Sequence, residues 1–280
     1  MELPPALVDE WQHEPDWLAA LPALVADSAE QWSLALEEPV DTAHALVVPA
    51  GEVVLKLNAP SHFEADHEAE ALERWAGNGA VRVVARDDAC RAYLCERCRP
   101  GTTLSDTGID PVPIVAALLP RLSLELESSR PFRRVADEAE RWAEEVPRRF
   151  ERAGRPFERA LLELALDLYR SADRSASFLV NQDLHGWNVL RAEREPWLVI
   201  DPKPLVGERE LDGVGLLRNA AMEDDPTRSV RRWLDVLAEL GLDRERTRYW
   251  GVAHALAWAW SDARGWDDEQ VAVARTIASA

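Results

Sequence analysis

Cysteine is scarce in this 280-residue chain: Cys90, Cys95 and Cys98 are the only three, and all lie in one short stretch. Thiols so close together cannot staple distant parts of a fold, which excludes a disulfide framework and points to a reducing cytoplasm. Their C-x4-C-x2-C spacing has no fourth Cys or His nearby to complete a structural zinc site, so they read as small apolar residues around a strand. Long apolar runs are missing too. The first residues, MELPPALVDEWQHEPDW, are acidic and contain no such run, so neither a signal peptide nor a membrane span is expected. Positive charge is short: 32 Lys plus Arg stand against 51 Asp plus Glu, for a formal net charge of −19. Such a chain repels nucleic acid and anionic membrane, and its summed field draws in cationic small molecules. Internal repeats and low-complexity linkers are absent.

The most informative segment runs from Phe178 to Pro204, FLVNQDLHGWNVLRAEREPWLVIDPKP. It reads as an apolar stretch, a polar loop and a hairpin. Val189 to Arg191 and Trp197 to Ile200 are short β-branched or aromatic strands, and the charged stretch between them ends in Pro196. Pairing them about Arg194 and Glu195 sets Asn188 opposite Asp201. A magnesium ion bridging nucleotide phosphates takes hard oxygen ligands, one or two from side chains and the rest from water and phosphate. Asn188 and Asp201 supply such oxygens, and Asp183, in the same loop, is then free to accept a hydroxyl proton. Taken singly, Asp183 and Asn188 also suit a plain turn, since both residue types bond local backbone.

The first third alternates strands with one helix. Ala43 to Val48, Glu52 to Leu57, Val81 to Ala85 and Ala92 to Cys98 read as strands, and Ala65 to Trp75 as a helix carrying Ala69, Leu72 and Trp75 on one face. Lys56 lies in VVLKL, where alternation places it with Val54 and Asn58. A lysine on a small sheet is by itself most simply a solvated residue. From Pro113 onward the chain is mostly helical, over 114–127, 132–146, 157–172, 230–240, 246–261 and 267–278. The tryptophans near the C-terminus read as helix-packing residues.

The pattern D-L-H-x-x-N followed by I-D-P resembles the catalytic loop and metal-binding aspartate of the aminoglycoside phosphotransferases, which are similar to protein kinases with H-R-D-x-x-x-x-N and D-F-G. EREPWLVIDPKPLVGERELD, LPALV near Leu21 and GNGAVRVVARDD near Gly77 look more narrowly like the streptomycin 6-phosphotransferase and hydroxyurea phosphotransferase branch. The resemblance spans nearly the whole chain. It implies an α+β, bilobal protein-kinase-like fold: a nucleotide-binding lobe over residues 1–98, with a helical N-terminal extension, a small antiparallel sheet and one helix, and a helical catalytic and substrate-binding lobe over 99–280. It implies ATP and Mg2+ as cofactors, Asp183 as catalytic base and Asn188 and Asp201 as metal ligands. It makes Lys56 the phosphate-binding lysine, oriented by Glu68, with Glu70 as the alternative partner. Glu96, Arg97 and Cys98 become the linker whose backbone faces adenine, and His185 becomes a structural residue of the loop.

Acceptor recognition is thinly written. Glu223 and Asp262 lie in acidic stretches able to pair with ammonium or guanidinium groups, although such clusters also serve as helix caps. Two departures stand out: Asn181-Gln182 replaces the usual His-Gly of the loop, and VDTAHALVVPAG lacks a convincing glycine-rich flap. The resulting expectation is a cytoplasmic, monomeric ATP-dependent O-phosphotransferase for a hydroxyl of a cationic small molecule. A streptomycin-type aminoglycoside is the leading acceptor; hydroxyurea or another metabolite is the alternative, as is a non-catalytic nucleotide-binding protein on the same scaffold.

Overall fold

A computed structural model describes residues 1–261 and 265–280. The chain divides into two compact units, Met1–Thr102 with Leu190–Asp201, and Thr103–Val189 with Pro202–Ala280.

In the first unit, helices α1 (Pro5–Glu10) and α2 (Pro15–Trp32) precede strands β1 (Ala45–Ala50) and β2 (Val53–Asn58), helix α3 (Glu68–Trp75), and strands β3 (Val83–Asp87) and β4 (Ala92–Glu96). The strands form one antiparallel sheet in the order β1-β2-β4-β3. Trp17, Leu21 and Val25 recur at helical spacing on α2 and bury against Leu46, Val48, Leu55, Leu57 and Leu94 of the sheet. Each such side chain contributes about 1.5–3 kcal/mol of burial, so the two N-terminal helices are part of this core. The helix expected from Ala65 begins instead at Glu68, because His67 takes a left-handed φ of 62° that breaks the helical path. Leu72 and Trp75 face inward as expected, together with Glu68 and Ala71, whereas Ala69 is only partly buried. The hairpin Val189–Arg191/Trp197–Val199 forms as expected. Residues 190–201 pack with the first unit: the Arg191 N–H donates to the Thr102 carbonyl and the Arg191 carbonyl accepts from the Gly101 N–H, and Val199 bonds Gly79 and Val81. Arg194 donates to both oxygens of Glu96 and to the carbonyls of Gly77 and Ala80.

The second unit holds α4 (Pro111–Leu122), α5 (Val135–Arg152), α6 (Arg159–Arg170), α7 (Val214–Ala220), α8 (Pro226–Glu239), α9 (Arg244–Trp258) and α10 (Asp268–Ser279). Strands β5 (Leu124–Glu125), β6 (Phe178–Asn181) and β7 (Pro204–Gly207) make a three-stranded sheet with β6 central. The helix expected over 114–127 stops at Leu122, because Ser123 turns extended and Leu124–Glu125 pair with β6. Helix α9 is buried on all sides from Trp250 to Ala257, which makes it the central helix of this unit. Helix α7 is absent from the sequence reading; at seven residues it is too short for a periodicity to register. Gly215 lets α7 lie against the loop after β6, since a Cβ there would stand 2.5 Å from the Leu184 carbonyl oxygen. None of the described helices is long and apolar enough to cross a membrane.

Candidate active site

In the first unit the site is built around a buried lysine. Lys56 is 7% exposed, and its Nζ donates to Glu68 Oε1 at 2.6 Å and to Asp201 Oδ1 at 2.7 Å. The i, i+3, i+4, i+7 face of α3 is what turns Glu68 inward to meet it. Glu68 Oε1 also accepts from Tyr93 Oη at 2.6 Å, and Oε2 accepts from Asn58 Nδ2 at 2.9 Å. Glu70, the alternative partner, instead meets Arg86 at 2.9 Å. Burial alone would lower the Lys56 pKa, but the charges of Asp201 and Glu68 outweigh it and hold the ammonium above its ordinary range. Asp201 has a positive φ of 49°, a strained conformation of the kind that persists where surrounding contacts demand it.

Glu96 ends β4, followed by Arg97 and Cys98. The N–H groups of Glu96 and Arg97 donate to the carbonyls of Arg82 and Glu52, pairings that do not include the Cys98 N–H. The Glu96 and Arg97 side chains are engaged by Arg194 and Glu37 respectively. Burial pushes the thiols of Cys95 and Cys98 up to about 12 and about 11, so both stay protonated and unreactive.

In the second unit, β6 delivers the chain into the loop 182–188. Asp183 Oδ1 accepts from Arg218 Nη2 at 2.5 Å and lies 3.4 Å from His185 Nε2. Burial pushes its carboxyl up, but the His185 hydrogen bond and the charges of Arg218 and Lys203 outweigh that and hold it below the usual carboxylate range. Asn188 donates through Nδ2 to the Asp183 carbonyl at 3.0 Å, which commits its nitrogen to the loop. His185 Nε2 lies 3.4 Å from both Asp183 Oδ1 and Asn188 Nδ2.

The two departures from the family pattern prove to build this loop. Asn181 Oδ1 accepts from the backbone N–H of both Asp183 and Lys203, at 3.1 and 3.0 Å, and its own N–H donates to Asp212 Oδ1 at 2.7 Å. Gln182 Oε1 lies 3.2 Å from His254 Nε2. Sequence reasoning missed Lys203, Asp212, Arg218 and His254. One signal was available: the chain has only two lysines, Lys56 and Lys203, and both are buried. Glu223 lines a cavity of about 220 Å³ with Ser105, His185, Asn219 and Trp233, and its Oε2 accepts from Ser229 Oγ at 2.6 Å. Asp262 lies outside the described residues.

Burial holds His254 down to about 3, aided by the charge of Arg218, while burial pushes Asp212 up to about 7. His254 is depressed below its ordinary 6.5, so its contribution to stability is full above that pH and lost as pH falls toward 3. Asp212 has the opposite sign, contributing below pH 3.8 and losing that contribution as pH rises through 7. His254→Phe removes one titration. Between pH 6 and 4 the wild-type unfolding free energy should therefore fall more steeply than the variant's, by roughly 1.4 kcal/mol per pH unit. Parallel denaturation curves across that window would refute the buried neutral imidazole.

The aminoglycoside/hydroxyurea antibiotic resistance kinase family model matches residues 35–266. A streptomycin 6-kinase of Streptomyces glaucescens is 35% identical over 254 residues, covering 86% of this chain and 82% of that protein. A hydroxyurea phosphotransferase of Kitasatospora aureofaciens is 33% identical over 253 residues, covering 86% and 73%. Among solved structures, choline kinase LicA from Streptococcus pneumoniae aligns with a TM-score of 0.63 at 12% identity, covering 93% of this chain and 99% of that one. Aminoglycoside phosphotransferase APH(4)-Ia aligns with a TM-score of 0.60 at 14% identity, covering 92% and 97%. At that identity the structures speak for the bilobal kinase-like α+β fold alone, whereas the family match and the curated relatives span most of the chain: it belongs to the aminoglycoside/hydroxyurea antibiotic resistance kinases and is a phosphotransferase.

Proposed function

We propose that this protein transfers the γ-phosphoryl group of ATP to a hydroxyl of a streptomycin-type aminoglycoside, as a cytoplasmic monomer. The observation that carries the reading is Lys56 held between Glu68 and Asp201, a buried ammonium poised to exchange a carboxylate for nucleotide phosphate. The Cys98 backbone N–H serves as donor to the adenine edge. Asp183 accepts the hydroxyl proton as the acceptor oxygen bonds to the γ-phosphorus and the bond from that phosphorus to the β–γ bridging oxygen breaks, releasing ADP. Its depressed pKa makes it a weak base, which suits a loose transition state in which the proton leaves late.

The donor set fits magnesium: Asn188 offers an amide oxygen and Asp201 a carboxylate, both hard ligands. Bound there, magnesium would neutralise charge on the phosphates.

The net charge of −19 favours a cationic acceptor, and Glu223 in the cavity beside the catalytic loop is the carboxylate we assign to it. A second reading, hydroxyurea as acceptor, is favoured by the 33% identity to the hydroxyurea phosphotransferase of Kitasatospora aureofaciens. Purified protein with γ-labelled ATP and magnesium, offered a panel of aminoglycosides and hydroxyurea, separates them. Label on streptomycin is the expected result; label on hydroxyurea alone moves the assignment to the second reading, and label on neither refutes both.

A further inference from the structure

Arg218 lies on α7, 35 residues beyond Asp183, and belongs to no motif recognised in the sequence. Its side chain is 12% exposed. Its Nη2 bonds Asp183 Oδ1, and its guanidinium lies over the Trp258 ring, 4.9 Å from the centroid. Asp183 Oδ1 thus carries Arg218 and, at 3.4 Å, His185, whereas Oδ2 has a long contact of 3.4 Å from Asn188 Nδ2. The load on the two oxygens is unequal.

We propose that Arg218 is a positioning residue for Asp183: by holding Oδ1 it fixes the carboxylate plane and presents Oδ2 to the acceptor hydroxyl. A planar guanidinium suits this task better than an ammonium, because its donors are directional and its face stacks on an indole. Trp258 backs the cation from one side, and the Gly215 contact with Leu184 sets α7 against the loop that carries Asp183. The pair is also desolvated, so losing either partner leaves a buried charge. Nη1 has no hydrogen-bond partner among the described residues, which leaves a second donor beside the carboxylate. This inference rests on Asp183 being the group that receives the hydroxyl proton.

The test is Arg218→Ala and Arg218→Lys, assayed for transfer with and without added guanidinium chloride. Because misplacing a reacting group by about 1 Å costs on the order of 100-fold, kcat of the alanine variant should fall by about that factor, with the KM for ATP within about twofold of wild type. Millimolar guanidinium should restore part of the loss in Arg218→Ala and nothing in Asp183→Ala. Arg218→Lys retains the charge, and so keeps the test open if alanine does not fold; its kcat should still fall while the KM for ATP holds. Either variant turning over at the wild-type rate, or a loss that guanidinium leaves untouched and that raises the KM for ATP equally, overturns the proposal. A second readout needs no transfer. The Arg218 side-chain N–H protons should exchange slowly in wild type and fast in Asp183→Asn, and fast exchange in wild type overturns the clamp. Slow exchange in a wild type that phosphorylates no acceptor supports the clamp and sinks the reading of Asp183 as the base.

Discussion

Asp183→Ala is expected to lower the rate of phosphoryl transfer by about 1,000-fold, within the range of 100- to 10,000-fold that a positioned general base contributes. The nucleotide side of the reaction should be spared, because the contacts of Asp183 run to Arg218, His185 and Asn188 within its own unit. Binding of ADP, measured by calorimetry, should therefore stay close to wild type while single-turnover transfer collapses. The substitution leaves the Arg218 guanidinium buried without its counter-ion, which costs stability. Assays belong well below the melting temperature of the variant, with its fold checked by circular dichroism. Turnover within tenfold of wild type would remove Asp183 from the base role, and loss of ADP binding in a folded variant would reassign the effect to the nucleotide site.

Lys56→Met should be the most destabilising single change in the first unit. Lys56, Glu68 and Asp201 form a charge cluster whose side chains are 9%, 1% and 27% exposed, so removing the cation strands a carboxylate that water cannot reach. Breaking a buried ion pair from one side costs about 3–5 kcal/mol. Part is retained, since Tyr93 and Asn58 still donate to Glu68. The double variant Lys56→Met with Glu68→Gln should recover much of the loss, because the stranded charge is gone; this non-additivity separates a charge effect from simple loss of packing. Urea midpoints measure both. A single variant within about 1 kcal/mol of wild type would contradict the buried cluster. Transfer should be abolished in both variants, since neither keeps an ammonium for the phosphates.

These expectations divide by how they could be known. Asp183, Asn188 and Asp201 were legible as candidates because a polar loop and the hairpin after it set them at short, ordered spacings that local backbone rules maintain. Lys56 and Glu68 needed a strand and a helix in sequence order, and here the resemblance settled which glutamate faces inward before the helix face did. The helical boundaries were less legible. His67 with φ 62° shortened α3, and the pairing of Leu124–Glu125 with β6 ended α4 early, both consequences of contacts that a local pattern does not contain. Asn181 and Gln182 looked like defects in a motif. They are loop-building residues, because an amide side chain can accept two backbone N–H groups or meet a buried imidazole.

By itself, the sequence determined the family pattern, the acidic charge, the alternation of strands with one helix followed by helices, and which residues are the candidates for a base and two oxygen ligands. These are properties of composition and of spacings within about ten residues, where chain geometry alone sets which side chains share a face or a turn. Only the tertiary structure decided that residues 190–201 pack with the first unit, that Arg218 reaches Asp183 and that Asp212 holds the Asn181 N–H. It likewise set His254 as a neutral imidazole between Trp142 and Trp258. Arginines and aspartates are frequent throughout this chain, and nothing in their local surroundings separates a buried partner from a solvated one. Burial and a specific counter-ion, supplied by elements 31 to 72 residues away, make that distinction.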